Sequence, residues 1–130
     1  MRSASRERDE TVRVLAIDQD RSCLEQLAAL CRRHGVAFVG SRDLTDGLRW
    51  LNLSPVDVIF CDVAFLRESH GSRLAMGAHE GDPLLVATVG ANNLETEASV
   101  RQLGVFYYLL KPFDGEEIQS LLASAENALT

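Results

Sequence analysis

The sequence predicts an α/β domain in which a five-stranded parallel sheet is covered by helices on both faces. Short β-rich runs alternate with segments of helical periodicity along the 130 residues. The predicted strands are almost continuously apolar, which is typical of strands that are buried on both faces. No internal repeat and no low-complexity segment interrupts this alternation.

The individual elements follow from hydrophobic periodicity and from turn-forming residues. Asp20 or Ser22 suits the start of the first helix, and Gly35 suits its end. The run from Asp114 to Glu117 fits a capping box at the start of the last helix. The predicted strands span residues 12–17, 36–39, 56–61, 84–88 and 105–110. The first two predicted helices span residues 20–33 and 43–51. The third lies within 63–82, the fourth spans 92–103, and the last begins at Asp114.

The segment 63–82 is an unusual helix candidate because it contains Gly71, Gly77 and Gly81. Each glycine costs up to about 1 kcal/mol in a helix interior. We therefore expect a short or irregular third helix and a loop that overhangs the carboxyl edge of the sheet. His70 and His79 also lie here, and neither has the spacing of a metal ligand.

Length, charge and cysteine content limit the remaining possibilities. We expect residues 1–11 to be a flexible lead-in and residues 12–130 to form one domain. The net charge of −6 argues against direct nucleic-acid binding. The chain has no secretory signal and no apolar run near the roughly 20 residues of a membrane span, so a cytoplasmic location is expected. Cys23, Cys31 and Cys61 are expected to be reduced and buried.

Five strands and about five helices predict the flavodoxin-like, doubly wound strand order 2-1-3-4-5. In such a sheet the functional site lies at the carboxyl ends of the strands, where the order reverses between strands 1 and 3. The predicted strand ends place Asp18, Asp62, Thr88 and Lys111 at that edge. The sequence therefore predicts that these four distant residues converge.

The four side chains are the components of a phosphoryl-acceptor site. Asp18 and Asp62 repel each other in one crevice unless a cation lies near them, and Mg²⁺ prefers such oxygen ligands. Lys111 supplies a positive charge and Thr88 a hydroxyl donor. A carboxylate nucleophile with these neighbours can attack phosphorus while the cations neutralise the transferring oxygens.

With these residues the chain resembles the receiver domains of two-component response regulators. The resemblance covers roughly residues 12–128. It rests on VLAIDQD at 14–20, VDVIFCD at 56–62, PLLVAT at 83–88 and GVFYYLLKPF at 104–113.

The resemblance implies a role for each matching residue. Asp62 matches the phospho-acceptor, Thr88 the switch hydroxyl and Tyr108 the switch aromatic residue. Asp18 matches the first residue of the acidic pair, and Lys111 matches the lysine before proline, whose bond to Pro112 is a candidate for the cis form. The implied Mg²⁺ ligands are Asp18 and Asp62, with Gln19, Asp20 and the backbone carbonyl of Ala64 as further candidates.

The resemblance also implies partners for the domain. A sensor histidine kinase or a phosphotransfer protein would donate the phosphoryl group, and an output domain or partner protein would respond to it. Helix 92–103, the fifth strand and the last helix would form the switching surface and a possible homodimer interface. The domain is then a signalling module and not an enzyme, with chemistry limited to Mg²⁺-assisted phosphotransfer onto itself and loss of that group.

Three departures from the family pattern keep an alternative open, and the irregular third helix within 63–82 is the first of them. Gln19 stands where the family usually has a second acid, so Mg²⁺ binding is expected to be weak. Val89 follows Thr88 where the family prefers a small residue. The alternative is a pseudo-receiver, a protein-interaction module that acts without phosphorylation. A flavin carrier of the same topology is disfavoured, because the acidic loop 18–22 would lie where the flavin phosphate binds. Both a single-domain regulator and one domain of a longer regulator are compatible with the sequence.

Overall fold

The structure is a computed structural model that describes residues 12–53, 55–66, 83–90 and 107–129, without the side chains of residues 128 and 129. These ranges contain five strands and four helices. The strands are β1 (Arg13–Ile17), β2 (Ala37–Ser41), β3 (Val58–Asp62), β4 (Leu84–Val89) and β5 (Tyr107–Leu110). The helices are α1 (Arg21–Arg33), α2 (Leu44–Leu53), α3 (Val63–Leu66) and α4 (Gly115–Leu129).

The five strands form one parallel sheet in the order β2-β1-β3-β4-β5, which confirms the predicted fold class. The chain order reverses between β1 and β3, as doubly wound sheets require. At the carboxyl edge the register pairs Ile17 of β1 with Cys61 of β3, and Asp62 of β3 with Thr88 of β4. This pairing brings the residues at the strand ends to one edge of the sheet.

The two faces of the sheet are covered by different helices, because strand side chains alternate between faces. Val14 and Ala16 of β1 pack in one cluster with α1 and α4, while Leu15 and Ile17 pack in the other with α2 and α3. Four apolar residues of α4 are buried in the cluster that contains α1: Ile118, Leu121, Leu122 and Ala125.

Capping residues mark the ends of α1 and the start of α4, the two long helices that cover one face of the sheet. Asp20 caps α1 by accepting a hydrogen bond from the Ser22 amide, and Gly35 follows the helix with φ of 69°, a conformation that favours glycine. Asp114 accepts from the Glu116 amide at the start of α4. In a capping box the Glu117 carboxylate would accept from the Asp114 amide. In the structure it accepts from the Tyr107 hydroxyl instead.

Helix α2 lies unusually close to the end of β1. A Cβ atom added at Gly47 would lie 2.5 Å from Cδ1 of Ile17, which is closer than real Cβ contacts allow. Gly47 is therefore needed for this packing. Because Ile17 directly precedes Asp18, the contact fixes the strand end that carries the first carboxylate.

Strand boundaries differ from the prediction by one to two residues in the first half of the chain. β3 begins at Val58, two residues later than expected, because the preceding Asp57 bonds to β1 through its side chain as well as its backbone. β2 extends to Ser41, whose carbonyl accepts from the Asp18 amide.

Three predicted features lie outside the described residues. They are the lead-in 1–11, the helix 92–103 and most of the third helical segment, of which only α3 is described. All three cysteines are buried and none is in a disulfide, as expected. No helix within the described ranges has the length and apolar character to cross a membrane.

Candidate functional site

Three charged side chains meet at the carboxyl edge of the sheet. The Nζ atom of Lys111, just after β5, lies 2.7 Å from Oδ2 of Asp18 and 2.6 Å from Oδ2 of Asp62. Asp18 follows β1 and Asp62 is the last residue of β3. The side chains of Lys111, Asp18 and Asp62 are 14%, 6% and 19% exposed, so the three groups are shielded yet reachable from solvent. We refer to them as the charged triad.

Backbone contacts orient each member of the charged triad. The second oxygen of Asp18 accepts from the Asp20 amide at 2.9 Å, and that of Asp62 accepts from the Ala64 amide at 2.8 Å. The Lys111 amide donates to the Val89 carbonyl, which joins the end of β5 to the end of β4. Each carboxylate therefore directs one oxygen at a backbone amide two residues further along the chain and the other at the lysine.

The electrostatics of the charged triad explain its stability as a cluster. Burial alone lowers the pKa of Lys111, but its hydrogen bonds to Asp18 and Asp62 outweigh that effect and raise the pKa above its usual value. The lysine is therefore a permanent cation at physiological pH. The formal charges of the two carboxylates and the ammonium sum to −1, which favours a further cation.

Thr88 and Tyr108, the two predicted switch residues, lie on neighbouring strands. Thr88 is 1% exposed and is paired in register with Asp62, so its side chain projects from the same face of the sheet. Tyr108 is half-buried, pairs with Ala87 and packs against the cluster on the other face, which also contains the buried Val89. Thr88 therefore lies beside Asp62 of the charged triad, and Tyr108 packs on the opposite face of the sheet.

The loop after β1 does not supply a second acid to the charged triad. Gln19 is exposed, and its backbone carbonyl accepts from Nε of Arg42 at 3.1 Å. Asp20 uses one carboxylate oxygen to cap α1 and the other to accept from the Cys23 thiol at 3.4 Å. The bonds from Cys23 and Ser22 lower the pKa of Asp20, while burial raises the pKa of Cys23 to about 11. The side chain of Asp20 thus faces α1.

The donor set fits a divalent cation with fewer charges than the family pattern supplies. No group of three or more His, Cys, Asp or Glu side chains suited to a metal ion occurs in the described ranges. Asp18 and Asp62 offer carboxylate oxygens, and the exposed Gln19 offers a neutral amide oxygen. These are ligands that Mg²⁺ accepts, with one formal negative charge fewer than a pair of acids would give. The carbonyl of Ala64 stays a predicted ligand.

Two features near the site had no signal in the sequence. Gln26 of α1 donates a hydrogen bond from Nε2 to the carbonyl of Phe113, a residue 87 positions away. Tyr107, next to the predicted switch residue, donates from its hydroxyl to Glu117 at 2.8 Å, and that bond raises the pKa of Tyr107. The Lys111–Pro112 peptide bond, the predicted cis candidate, is cis.

A doubly wound sheet with two carboxylates and a lysine at its switch point defines a class of signalling domain. The chain belongs to the response regulator receiver domain family, whose sequence profile matches residues 14–123. Phosphorylation and Mg²⁺ binding at an acidic pocket are standard in this family.

Similar proteins agree with this assignment. The chain is 31% identical over 121 residues to a two-component response regulator of Oryza sativa subsp. japonica, covering 92% of the chain and 17% of that protein. It is 27% identical over 113 residues to the acid tolerance regulatory protein ActR of Rhizobium meliloti, covering 84% and 57%. The chain thus spans less than two thirds of the length of either relative.

Solved structures show the same fold at low sequence identity. The receiver domain of the Francisella response regulator 1452 superposes with a TM-score of 0.78 at 18% identity, over 92% of this chain and 100% of that one. The chemotaxis response regulator CheY4 of Vibrio cholerae gives a TM-score of 0.75 at 19% identity, over 88% and 98%.

Proposed function

We propose that the domain accepts a phosphoryl group on Asp62 from the phosphohistidine of a sensor histidine kinase or phosphotransfer protein. The observation that carries this proposal is the pair of bonds from Lys111 Nζ to Asp62 and Asp18. This arrangement holds a carboxylate at a solvent-reachable edge beside a permanent cation, as a nucleophile toward phosphorus requires. The family assignment supports the same role.

In the proposed transfer, a carboxylate oxygen of Asp62 forms a bond to phosphorus while the bond from phosphorus to the imidazole nitrogen breaks. The imidazole keeps the electron pair and takes up a proton. The ammonium of Lys111 would compensate negative charge on the transferring oxygens, and the hydroxyl of Thr88, which pairs in register with Asp62, would donate to one of them. Mg²⁺, when bound through Asp18, Asp62 and the amide oxygen of Gln19, would neutralise further charge on the phosphoryl group.

The response to phosphorylation would be a shift between two arrangements of the sheet edge. Thr88 would move toward the phosphoryl group and Tyr108 would repack into the space behind it. The switching surface, for which the sequence predicts a contribution from residues 92–103 beside β5 and α4, would then favour a homodimer, an output domain or a partner protein. Such a ligand-dependent population shift needs the phosphorylated form to stabilise one arrangement more than the other.

The test is exposure of the purified chain to a small acyl-phosphate donor and Mg²⁺, followed by mass spectrometry. We expect a mass gain of one phosphoryl group that is absent in Asp62→Asn. Asp43→Asn changes an exposed carboxylate of the β2–α2 connection and is the matched control, which should still gain the group. A gain that persists in Asp62→Asn would contradict the assignment of the acceptor.

A second candidate function is a pseudo-receiver that binds its partner without phosphorylation. Gln19 in place of an acid, together with the engagement of both Asp20 oxygens at α1, is the observation that favours it. This function predicts no mass gain at millimolar Mg²⁺ in the wild-type chain. Gln19→Asp is the sharper variant, because a gain seen only in that protein would show that the missing acid had silenced the site.

A further inference from the structure

Helix α1 contacts both sides of the charged triad. At its start, the Asp20 amide donates to Asp18, so the first carboxylate is tied to the cap of the helix. Farther along α1, Nε2 of Gln26 donates to the Phe113 carbonyl at 3.1 Å. Phe113 lies two residues after Lys111, in the segment that links β5 to α4. One helix thus holds the loop of Asp18 and the loop of Lys111.

The segment 111–114 is fixed at several points, and Gln26 adds a hydrogen bond from a side chain of α1. The Lys111 amide bonds to Val89 on β4, and the bond from Ile118 to the Asp114 carbonyl begins α4 one residue after Phe113. The ring of Phe113 is buried in the cluster on the α1 face. The bond from Gln26 therefore acts on the backbone between two anchored ends.

From these contacts we propose that Gln26 is a positioning residue, which acts through Phe113 to hold the Lys111 ammonium between Asp18 and Asp62. The proposal deepens the proposed phosphoryl transfer and rests on it only for the kinetic readout. A lysine side chain has four rotatable carbon–carbon bonds, so ordering it is entropically costly, and a backbone that is not fixed adds to that cost. Without the bond from Gln26, the lysine samples positions in which it touches only one carboxylate.

The chain offers an unusually clean reporter of this effect. Lys111 is its only lysine, since the other twelve of the 13 basic residues are arginines. In protein labelled with isotopes in lysine alone, every Cε–Hε signal in a nuclear magnetic resonance spectrum therefore comes from Lys111. An immobilised side chain gives two distinct Hε frequencies and slow relaxation, whereas a mobile one gives averaged frequencies.

The experiment compares Gln26→Met, Gln26→Arg and the control Gln119→Met with the wild-type chain. Methionine keeps the length of glutamine but cannot donate, and arginine is longer but retains donors. Gln119 is exposed on α4, so its variant tests the substitution itself. We expect averaged Hε frequencies in Gln26→Met, and wild-type frequencies in Gln26→Arg and Gln119→Met.

The kinetic arm measures the rate of phosphorylation by the small donor. We expect Gln26→Met to slow it about three- to tenfold, the equivalent of one net hydrogen bond, with Gln26→Arg within about twofold of wild type. Wild-type lysine signals in Gln26→Met, or averaged signals in both Gln26 variants, would overturn the positioning role. If the wild-type chain takes up no phosphoryl group while the lysine signals behave as expected, the proposed function fails and the positioning role stands.

Discussion

The two ends of the parallel sheet use buried carboxylates in opposite ways. At the amino end, Asp57 is 3% exposed and exchanges bonds with Arg13, accepting from its amide at 2.9 Å and donating its own amide to the Arg13 carbonyl. At the carboxyl end, Asp18 and Asp62 each accept a hydrogen bond from a backbone amide with one oxygen and contact Lys111 with the other. The first arrangement joins β1 to the start of β3 through main-chain atoms. In the second, the ammonium of Lys111 lies between the two carboxylates.

This difference separates stability from chemistry. A carboxylate that accepts from the main chain of a neighbouring strand leaves an amide without that acceptor when it moves away, so Asp57 is suited to fixing the sheet. A carboxylate that shares a side-chain cation can exchange that partner for another charged group while the strands stay in place. We therefore expect substitutions at the amino end to change the free energy of unfolding, and substitutions in the charged triad to change phosphorylation.

The largest expected effect on stability tests the amino end directly. Asp57→Ala leaves the partly buried Arg13 amide without this acceptor, and we expect the free energy of unfolding to fall by about 2–3 kcal/mol. Asp57→Asn keeps an amide oxygen that can accept the same bond, so its loss should be clearly smaller. Urea unfolding measures both, and phosphorylation of Asp62 should be complete in each folded variant. A fall below about 0.5 kcal/mol in Asp57→Ala would remove the contrast between the two ends.

A slightly smaller effect is expected where α2 meets the end of β1. Gly47→Val places branched carbon atoms against Ile17, which the close approach of 2.5 Å does not accommodate. Overpacking of this kind costs about 1–3 kcal/mol, and we expect a loss of about 2 kcal/mol in urea unfolding. Gly90→Ala is the control, because a Cβ atom there meets nothing within 4 Å. Equal stability of the two variants would show that α2 adjusts freely.

The next effect sharpens the carboxyl end through its pH dependence. The raised pKa of Lys111 means that the folded state binds this proton more tightly than the unfolded chain. Its contribution to stability is therefore fully present below the ordinary pKa of 10.5 and is lost as the pH rises through the higher folded value. One such proton changes the free energy of unfolding by at most about 1.4 kcal/mol per pH unit.

Unfolding curves between neutral and alkaline pH measure this slope, and Lys111→Met should make it shallower. Tyr107, Cys23 and Cys31 also have raised pKa values, so they contribute to alkaline destabilisation in the same direction. The comparison must therefore be made between the two proteins at each pH. Identical slopes would contradict the assignment of the raised pKa to Lys111.

The smallest effect concerns the contact between β5 and α4. Tyr107→Phe removes the hydroxyl that donates to Glu117, on a side chain that is 39% exposed. Exposed polar contacts contribute little, and we expect a loss of about 0.5 kcal/mol or less by thermal or urea unfolding. Leu110, exposed on the same strand, offers Leu110→Ala as a comparison without a hydrogen bond. A loss above about 1.5 kcal/mol in Tyr107→Phe would give this contact a structural weight that its exposure does not predict.

Much of the fold and of the candidate site could be predicted from local patterns. Apolar strands alternating with amphipathic helices require a covered parallel sheet, and the sheet order was confirmed by the structure. The polar residues at the strand ends were predicted to converge because parallel strands have their carboxyl ends at one edge. The strand limits were less predictable. The carboxylate of Asp57 bonds to the main chain of Arg13 just before β3 begins, and a hydrophobic pattern contains no sign of such a bond.

The sequence by itself therefore determined the class of fold, the edge at which the site lies and the types of residue that occupy it. Only the tertiary structure decided that a single lysine reaches both carboxylates, that Asp20 faces α1 and that Gln26 bonds to Phe113. Periodicity is a local property, fixed by the geometry of strands and helices. Side-chain hydrogen bonds between residues 49 or 87 positions apart depend on rotamers and packing that exist only once the layers have assembled.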